Sequence, residues 1–183
     1  QTQPWFLWLA YNAPHTPFHL PPNDLHSQGS LHSDQASMDD NTLPYYMAML
    51  EAMDTEMGRL INSMTEEERD NTVIIFIGDN GTPGQVVQTY ATRRAKGSVY
   101  QGGVNVPMII AGKDVTRINQ TEDALISTTD LFATISNIAG INTCLLYTSD
   151  AADDSLRVDL GGRRIIKKRR CCRRHVRALI EHD

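Results

Sequence analysis

The residues best able to do chemistry in this sequence fall in three short polar clusters. His15 lies between Pro14 and Pro17, Asp79-Asn80 between Gly78 and Gly81, and Lys96 in Ala95-Lys96-Gly97, just ahead of Tyr100-Gln-Gly-Gly-Val104. The Asp79 carboxylate and the Asn80 side-chain carbonyl are hard oxygen donors suited to Ca²⁺ or Mg²⁺. Lys96 offers a point charge to a sulfate or phosphate oxygen, and His15 can pass a proton to a departing group. Acting on one substrate, these groups would stabilise a sulfuryl or phosphoryl group in transfer. The glycines beside Asp79-Asn80 are expected to let the backbone approach an ion or substrate closely. Each cluster taken singly also has an ordinary reading. Asp-Asn-Gly after a strand makes a turn, and a lone histidine between prolines, or a lysine beside a glycine, is a solvated surface group.

Such groups need elements to position them. Trp5-Phe-Leu-Trp-Leu-Ala10 is a continuous apolar run, which predicts a strand buried on both faces and closed by Asn12-Ala-Pro-His-Thr-Pro17. Residues 20–44 are rich in Pro, Asn, Asp, Ser and His without periodicity, and predict a long surface loop. Tyr46, Met49, Leu50, Met53, Met57, Leu60, Ile61 and Met64 recur at helical spacing, predicting an amphipathic helix over about residues 44–64 with its methionines in the core. Residues 65–71 read as a charged connector. Val73-Ile-Ile-Phe-Ile77 is β-branched and predicts the best strand of the chain. A polar, glycine-rich loop then runs to about Tyr100. Residues 106–111 predict a further strand with Pro107 at its start, where the missing N–H is harmless. Thr128 or Thr129 is expected to cap a last helix, with Leu131, Phe132, Ile135 and Ile138 facing inward and Gly140 as its stop. Strands alternating with helices predict an α/β layer fold around a mainly parallel sheet. Ligands of such folds gather at the carboxyl ends of strands, so His15, Asp79, Asn80 and Lys96 are expected to face one cleft.

In series, the motifs resemble a known family. Trp5 through Pro17 looks like the sulfatase segment that carries a substrate-binding histidine. Asn71-Thr-Val-Ile-Ile-Phe-Ile-Gly-Asp-Asn-Gly81 resembles the metal segment of that family, and Lys96-Gly-Ser-Val-Tyr-Gln-Gly-Gly-Val-Asn-Val-Pro107 resembles its Lys-Gly-x-x-x-Glu-Gly-Gly-x-Arg-Val-Pro segment. Ser127-Thr-Thr-Asp-Leu-Phe132 through Gly140 looks like the helix that follows. The resemblance is to formylglycine-dependent sulfatases of the alkaline-phosphatase superfamily, and it covers nearly all of residues 4–142. It implies a three-layer α/β sandwich, here incomplete, and a sulfuric ester hydrolase. Asp79 and Asn80 would be two ligands of one Ca²⁺ ion (Mg²⁺ being the less suited), and His15 and Lys96 would hold the sulfate ester. The nucleophile, a Cys or Ser converted to formylglycine in a Cys/Ser-x-Pro-x-Arg motif, is expected upstream and is not in this chain, so the fragment alone is expected to be inactive. Two departures from the pattern are notable: Asn105 replaces an arginine and Gly78 a serine.

The resemblance further implies a small-molecule or carbohydrate sulfate ester as partner, no nucleic acid, and a periplasmic or secreted location. A phosphodiesterase or phosphonate monoester hydrolase of the same superfamily is the nearest rival. Two-zinc members of that group place Asp-His where Asp79-Asn80 stands, and an amide oxygen suits calcium better than zinc. A non-catalytic binding module is the second rival and rests on the basic tail alone.

That tail is set apart by charge. Residues 1–143 hold 16 acidic and 7 basic side chains, and residues 144–183 hold 6 and 10, so a net charge of -5 conceals a break in composition. Cys144, Cys171 and Cys172 all lie beyond the break, which leaves the body with neither a disulfide nor a thiol nucleophile. Lys167-Lys168-Arg169-Arg170 would suit a nucleic acid or a membrane surface. However, Cys144 through Asp154 resembles the conceptual translation of a transposase-type sequencing adapter, and Val158 through Ile166 resembles the primer segment that follows it. Residues 144–183 are therefore read as an artefactual tail that packs poorly on a partial catalytic domain at 1–143, and are excluded from fold reasoning. The chain opens on Gln1, so its natural N-terminus is expected upstream. No apolar run approaches the roughly 18 residues of a membrane span. Amplification of source DNA across codon 143 should give a reading frame that leaves the present one at Cys144. A genomic sequence continuing through Arg174 would overturn the adapter assignment.

Overall fold

The computed structural model describes residues 3–141, so the tail at 144–183 lies outside the described residues. The chain divides into two compact units, Gln1–Lys113 and Asp114–Asp183.

The first unit is organised by one long helix. Short helix α1 (Gln35–Asp40) leads into α2 (Thr42–Ser63), which spans 22 residues. Pro44 falls in the first turn of α2, where backbone N–H groups have no intrahelical partner to lose. Tyr45, Ala48, Met49 and Ala52 are buried at i, i+3, i+4 and i+7, the stripe expected of a helix with one covered face. Met49 is 1% exposed, whereas Leu60 is 41% exposed. The methionine stripe therefore packs in the first half of the helix and fades toward its end.

Residues 20–44, expected as a long surface loop, hold a 3₁₀ turn at Asn23–Leu25 as well as α1. Asp34 caps α1 by accepting from the Ser37 N–H at 2.9 Å. The loop is fastened to α2 at several points. The Tyr45 hydroxyl donates to the His32 carbonyl at 2.8 Å and the Thr55 hydroxyl to the Leu25 carbonyl at 3.3 Å. The Glu51 carboxylate accepts from the Ser27 N–H, the Ser27 hydroxyl and the Gln28 amide.

The charged connector at 65–71 forms a further short helix, α3 (Glu66–Asp70), because Thr65 and Glu68 satisfy each other's backbone N–H in a capping box. Strand β1 (Val73–Ile77) matches its expected span, α4 (Gln101–Val104) follows the polar loop, and β2 (Met108–Gly112) begins one residue after Pro107. Pro107 has no N–H to give but its carbonyl accepts from the Gly78 N–H at 3.0 Å, which prolongs the pairing past the strand ends. The two strands pair antiparallel, with Val73 opposite Gly112 and Ile77 opposite Met108. Among the described residues this antiparallel pair stands where a mainly parallel sheet was expected.

The Trp5–Ala10 run is not a strand. It has no ladder partner among the described residues, and Phe6 and Trp8 are 68% and 72% exposed. Apolar composition creates a demand for burial but does not supply the paired backbone that a strand requires.

The described part of the second unit holds an Arg117–Glu122 ion pair and helix α5 (Asp130–Ile138). Gly140 ends the helix at a φ of +74°, as expected. Neither threonine caps it through a side chain; the Asp130 carboxylate accepts from the Ser127 N–H at 3.0 Å instead. Leu131 and Ile135 are half-buried, whereas Phe132 and Ile138 stand 60% and 50% exposed rather than facing inward. The apolar arc of α5 is wider than the surface its own unit covers.

The Glu51 clamp has a pH signature. Hydrogen bonds from the Ser27 backbone, then from Gln28, hold the Glu51 carboxyl below its ordinary range, with His26 adding a small favourable charge. A folded-state pKa below the unfolded one contributes stability above the unfolded value, and that stability is lost as pH falls through the folded value. The stability difference between wild type and Glu51→Ala, measured by chemical denaturation, should be present at pH 7 and shrink once pH drops below the usual carboxylate range. A difference that stayed constant into strong acid would show that charge has no part in the clamp.

Candidate active site

Asp79 and Asn80 occupy the turn that leaves the carboxyl end of β1. The turn is fixed by a backbone contact with α4, where the Gly81 N–H donates to the Gly103 carbonyl at 3.1 Å. A Cβ on Gly81 would stand 2.1 Å from the Gly102 carbonyl oxygen, and one on Gly103 would stand 2.1 Å from the Ser98 carbonyl oxygen. No side chain can occupy either position without moving backbone. The sequence suggested that these glycines admit an ion or a substrate; at Gly81 the close neighbour is another stretch of the same chain. Asp79 and Asn80 are both exposed, and the Asn80 amide N–H donates to the Asp79 carboxylate. That bond leaves the Asn80 carbonyl oxygen available beside a carboxylate. The pair fits Ca²⁺ in donor type, as part of the six to eight oxygens such an ion takes. Among the described residues no group of three or more His, Cys, Asp or Glu side chains converges.

Lys96 is held from its backbone. Its N–H donates to the Thr82 carbonyl at 3.0 Å, Ala95 before it is 1% exposed, and Gly97 after it takes a φ of +86°. Arg94 lies 4.7 Å over the Tyr100 ring and so brackets the loop from both sides. The ammonium group itself is exposed, with no ion pair among the described residues.

His15 lies between two cis X-Pro bonds, Ala13–Pro14 and Thr16–Pro17. Its backbone N–H donates to the Asn12 carbonyl at 2.8 Å, and its ring Nδ1 donates to the Thr16 carbonyl at 2.8 Å. The second bond selects the tautomer and leaves Nε2 for a ligand. Phe18 then packs edge-on against Tyr46 of α2, with ring centroids 6.0 Å apart. Burial raises the pKa of the Tyr46 phenol, opposed by the neighbouring Thr82 hydroxyl. Tyr46 thus touches both the segment that follows His15 and the segment that follows Asn80.

These supports bring His15 and Lys96 into one pocket of about 260 Å³, lined also by Thr16, Pro83, Gly84 and Gln85. Asp79 and Asn80 do not line it. Asn80 lies two residues before Thr82, the residue that anchors Lys96, and so within about 7 Å of it along the chain. The expected cleft of four is thus a pocket of two with the carboxylate–amide turn adjoining it. A second pocket, about 270 Å³ and mostly apolar, lies between the 19–25 segment and α2 and holds none of the four. Sequence reasoning gave no role to Thr16 or Tyr46, and reached Gln85 only as part of the 82–95 loop, one of the segments expected to set substrate specificity. Gln85 sits in a stretch without pattern, and Tyr46 was legible only as one apolar position on a helix.

The loops of this α/β chain set a histidine and a lysine in one pocket, and a turn of two hard oxygen donors follows β1. The sulfatase family model matches residues 1–141, and the chain belongs to the sulfatase family, whose fold is α/β of the alkaline-phosphatase type. It is 31% identical to the uncharacterized sulfatase YdeN of Escherichia coli (strain K12), covering 76% of this chain and 24% of that protein. It is 30% identical to a sulfatase of Formosa agariphila, covering 75% of this chain and 26% of the relative. An endo-4-O-sulfatase of Bacteroides thetaiotaomicron is 27% identical over 76% of this chain and 29% of its own length. The chain therefore spans about a quarter of the length of these relatives. No solved structure matches it.

The glycine junction can be tested apart from catalysis. Gly103→Ala should open the Gly81–Gly103 contact and expose the Gly81 amide to hydrogen exchange. Gly97→Ala has open space around its Cβ, so it should cost only about 1–2 kcal/mol for a left-handed backbone and leave that amide protected. Equal protection of Gly81 in both variants would show that the contact does not hold the turn.

Proposed function

We propose that the protein carrying this chain is a sulfuric ester hydrolase, acting on a small-molecule or carbohydrate sulfate ester. The observation that carries this reading is the shared pocket of His15 and Lys96, within a stretch that belongs throughout to the sulfatase family. Lys96 places a positive charge against the sulfate oxygens, where negative charge accumulates toward the leaving oxygen as the S–O bond breaks. His15, with Nδ1–H committed to a backbone carbonyl, presents Nε2 to that leaving oxygen and, in its doubly protonated form, supplies the proton from Nε2 and is left as the neutral ring.

Asp79 and Asn80 would hold a Ca²⁺ ion, which when bound neutralises charge on the ester oxygens. Their carboxylate and amide donors favour a calcium enzyme over the two-zinc phosphodiesterases. A formylglycine from an upstream segment would supply the nucleophile, so the 183-residue chain alone is inactive on this reading. Residues 1–143 would be part of the catalytic domain, and residues 144–183 no domain at all. In the whole protein, Trp5–Ala10 would take its place in a mainly parallel, three-layer sheet. A periplasmic or secreted location goes with the family resemblance.

The two roles separate experimentally in the full-length enzyme. Lys96→Ala should lower turnover of a sulfate ester by about 10²–10³, the usual cost of one preorganised charge donor, with Ca²⁺ binding retained by calorimetry. Asp79→Ala should instead weaken Ca²⁺ binding, because a hard cation loses a charged ligand. A Lys96→Ala enzyme with unchanged kinetics would reduce this lysine to a solvated loop charge.

A further inference from the structure

The pocket that holds His15 and Lys96 has a second wall with no task in the proposed chemistry. Pro83, Gly84 and Gln85 form it, and Thr16 joins it from the histidine side. The Val86 N–H donates to the Pro83 carbonyl at 3.0 Å and closes a tight turn with Gly84 and Gln85 at its centre. Val86 is 3% exposed, which anchors the end of the turn in the core. A Cβ on Gly84 would stand 2.8 Å from the Thr92 methyl, so the turn lies flat against the neighbouring loop. The carbonyl just before it, that of Thr82, accepts the Lys96 N–H at 3.0 Å. Gln85 is therefore presented by a backbone that is fixed relative to Lys96.

The Gln85 carboxamide makes no hydrogen bond among the described residues, and the residue is exposed into the pocket that it lines. A carboxamide both donates and accepts, the complement of a hydroxyl that does the same. Among the described residues, no Phe, Tyr, Trp or large aliphatic side chain lines this pocket. An aryl ring entering it would gain little burial or stacking, whereas a ring bearing hydroxyls would meet Gln85 and Thr16.

We propose that Gln85 is a specificity-determining residue which hydrogen-bonds a hydroxyl of the alcohol moiety, and that the substrate is a sulfated sugar rather than an aryl sulfate. The inference rests on the sulfatase reading above and names its substrate class. A site that hydrogen-bonds a substrate hydroxyl discriminates against analogues lacking it, because its own polar group is then left unpaired.

The test compares wild type and Gln85→Leu in the full-length enzyme, on a panel of sulfated hexoses and on 4-nitrophenyl sulfate. Gln85→Leu should lower kcat/KM on the preferred sulfated hexose by about tenfold, the worth of one neutral hydrogen bond, while its value on 4-nitrophenyl sulfate stays within about twofold. A parallel loss on both substrates would mark Gln85 as merely structural and overturn the proposal, as would no loss on either. A wild type that cleaves 4-nitrophenyl sulfate but no sulfated hexose overturns this inference and leaves the sulfatase reading standing. A wild type inactive on every sulfate ester overturns the reading beneath both.

Discussion

The backbone contact between Gly81 and the Gly102–Gly103 turn is the constraint on which the site depends. It joins the two segments that carry the polar side chains, one leaving β1 with Asp79 and Asn80, the other descending from Lys96 into α4. Carbonyl oxygens occupy the places where Cβ atoms would stand, so the approach is available only to glycine. Once it is made, the Gly81 N–H is satisfied by Gly103, and the Lys96 N–H reaches Thr82 one residue further on. Two loops that would each be mobile alone become a single hydrogen-bonded body. The antiparallel pairing of β1 with β2 closes the same body from the other side, since the strands leave from opposite ends of the two segments.

Helix α2 supplies the remaining leg of the frame. Tyr46 receives Phe18 on its edge and has the Thr82 hydroxyl beside its phenol, so one side chain registers the histidine segment against the segment that follows Asp79 and Asn80. Farther along the helix, Tyr45, Glu51 and Thr55 hold the 25–32 stretch through its backbone. These bonds reach main-chain groups that a loop of this length would otherwise leave to water. They satisfy part of the loop's polarity although it has almost no regular structure, and the His26 Nε2 is buried without a partner among the described residues.

The charges of the site stand in the open. His15, Asp79, Asn80 and Lys96 are all exposed, which spares the desolvation that a buried charge must overcome and leaves their interactions at the high effective dielectric of a surface. Such a pocket gains strength when a substrate displaces its water, because the same charges then act through less solvent. The glutamine turn at Pro83–Val86 matters for that reason: on the proposal above, it would set which alcohol fills the space beside His15 and Lys96.

Much of the local structure was legible from residue types. The β-branched run at 73–77, the helical spacing around Met49 and the glycine stop at 140 each follow from neighbours in sequence, and the structure places them within a residue or two. The chemistry-bearing residues were legible too, since a carboxylate–amide pair, a histidine and a lysine advertise their chemistry by type. Pairing was not. Trp5–Ala10 has the composition of a buried strand yet lies exposed, because a ladder needs a partner and composition names none. The same limit turned an expected parallel sheet into an antiparallel pair among the described residues, left Phe132 and Ile138 uncovered, and put Asp79 and Asn80 beside the pocket instead of in its wall. Only the tertiary structure showed that Gly81 meets the backbone of Gly102 and Gly103, and that Gln85 lines one pocket with the histidine and the lysine. Those are contacts between segments distant in the chain, and they are decided by which backbones can approach, something a run of residue types does not encode.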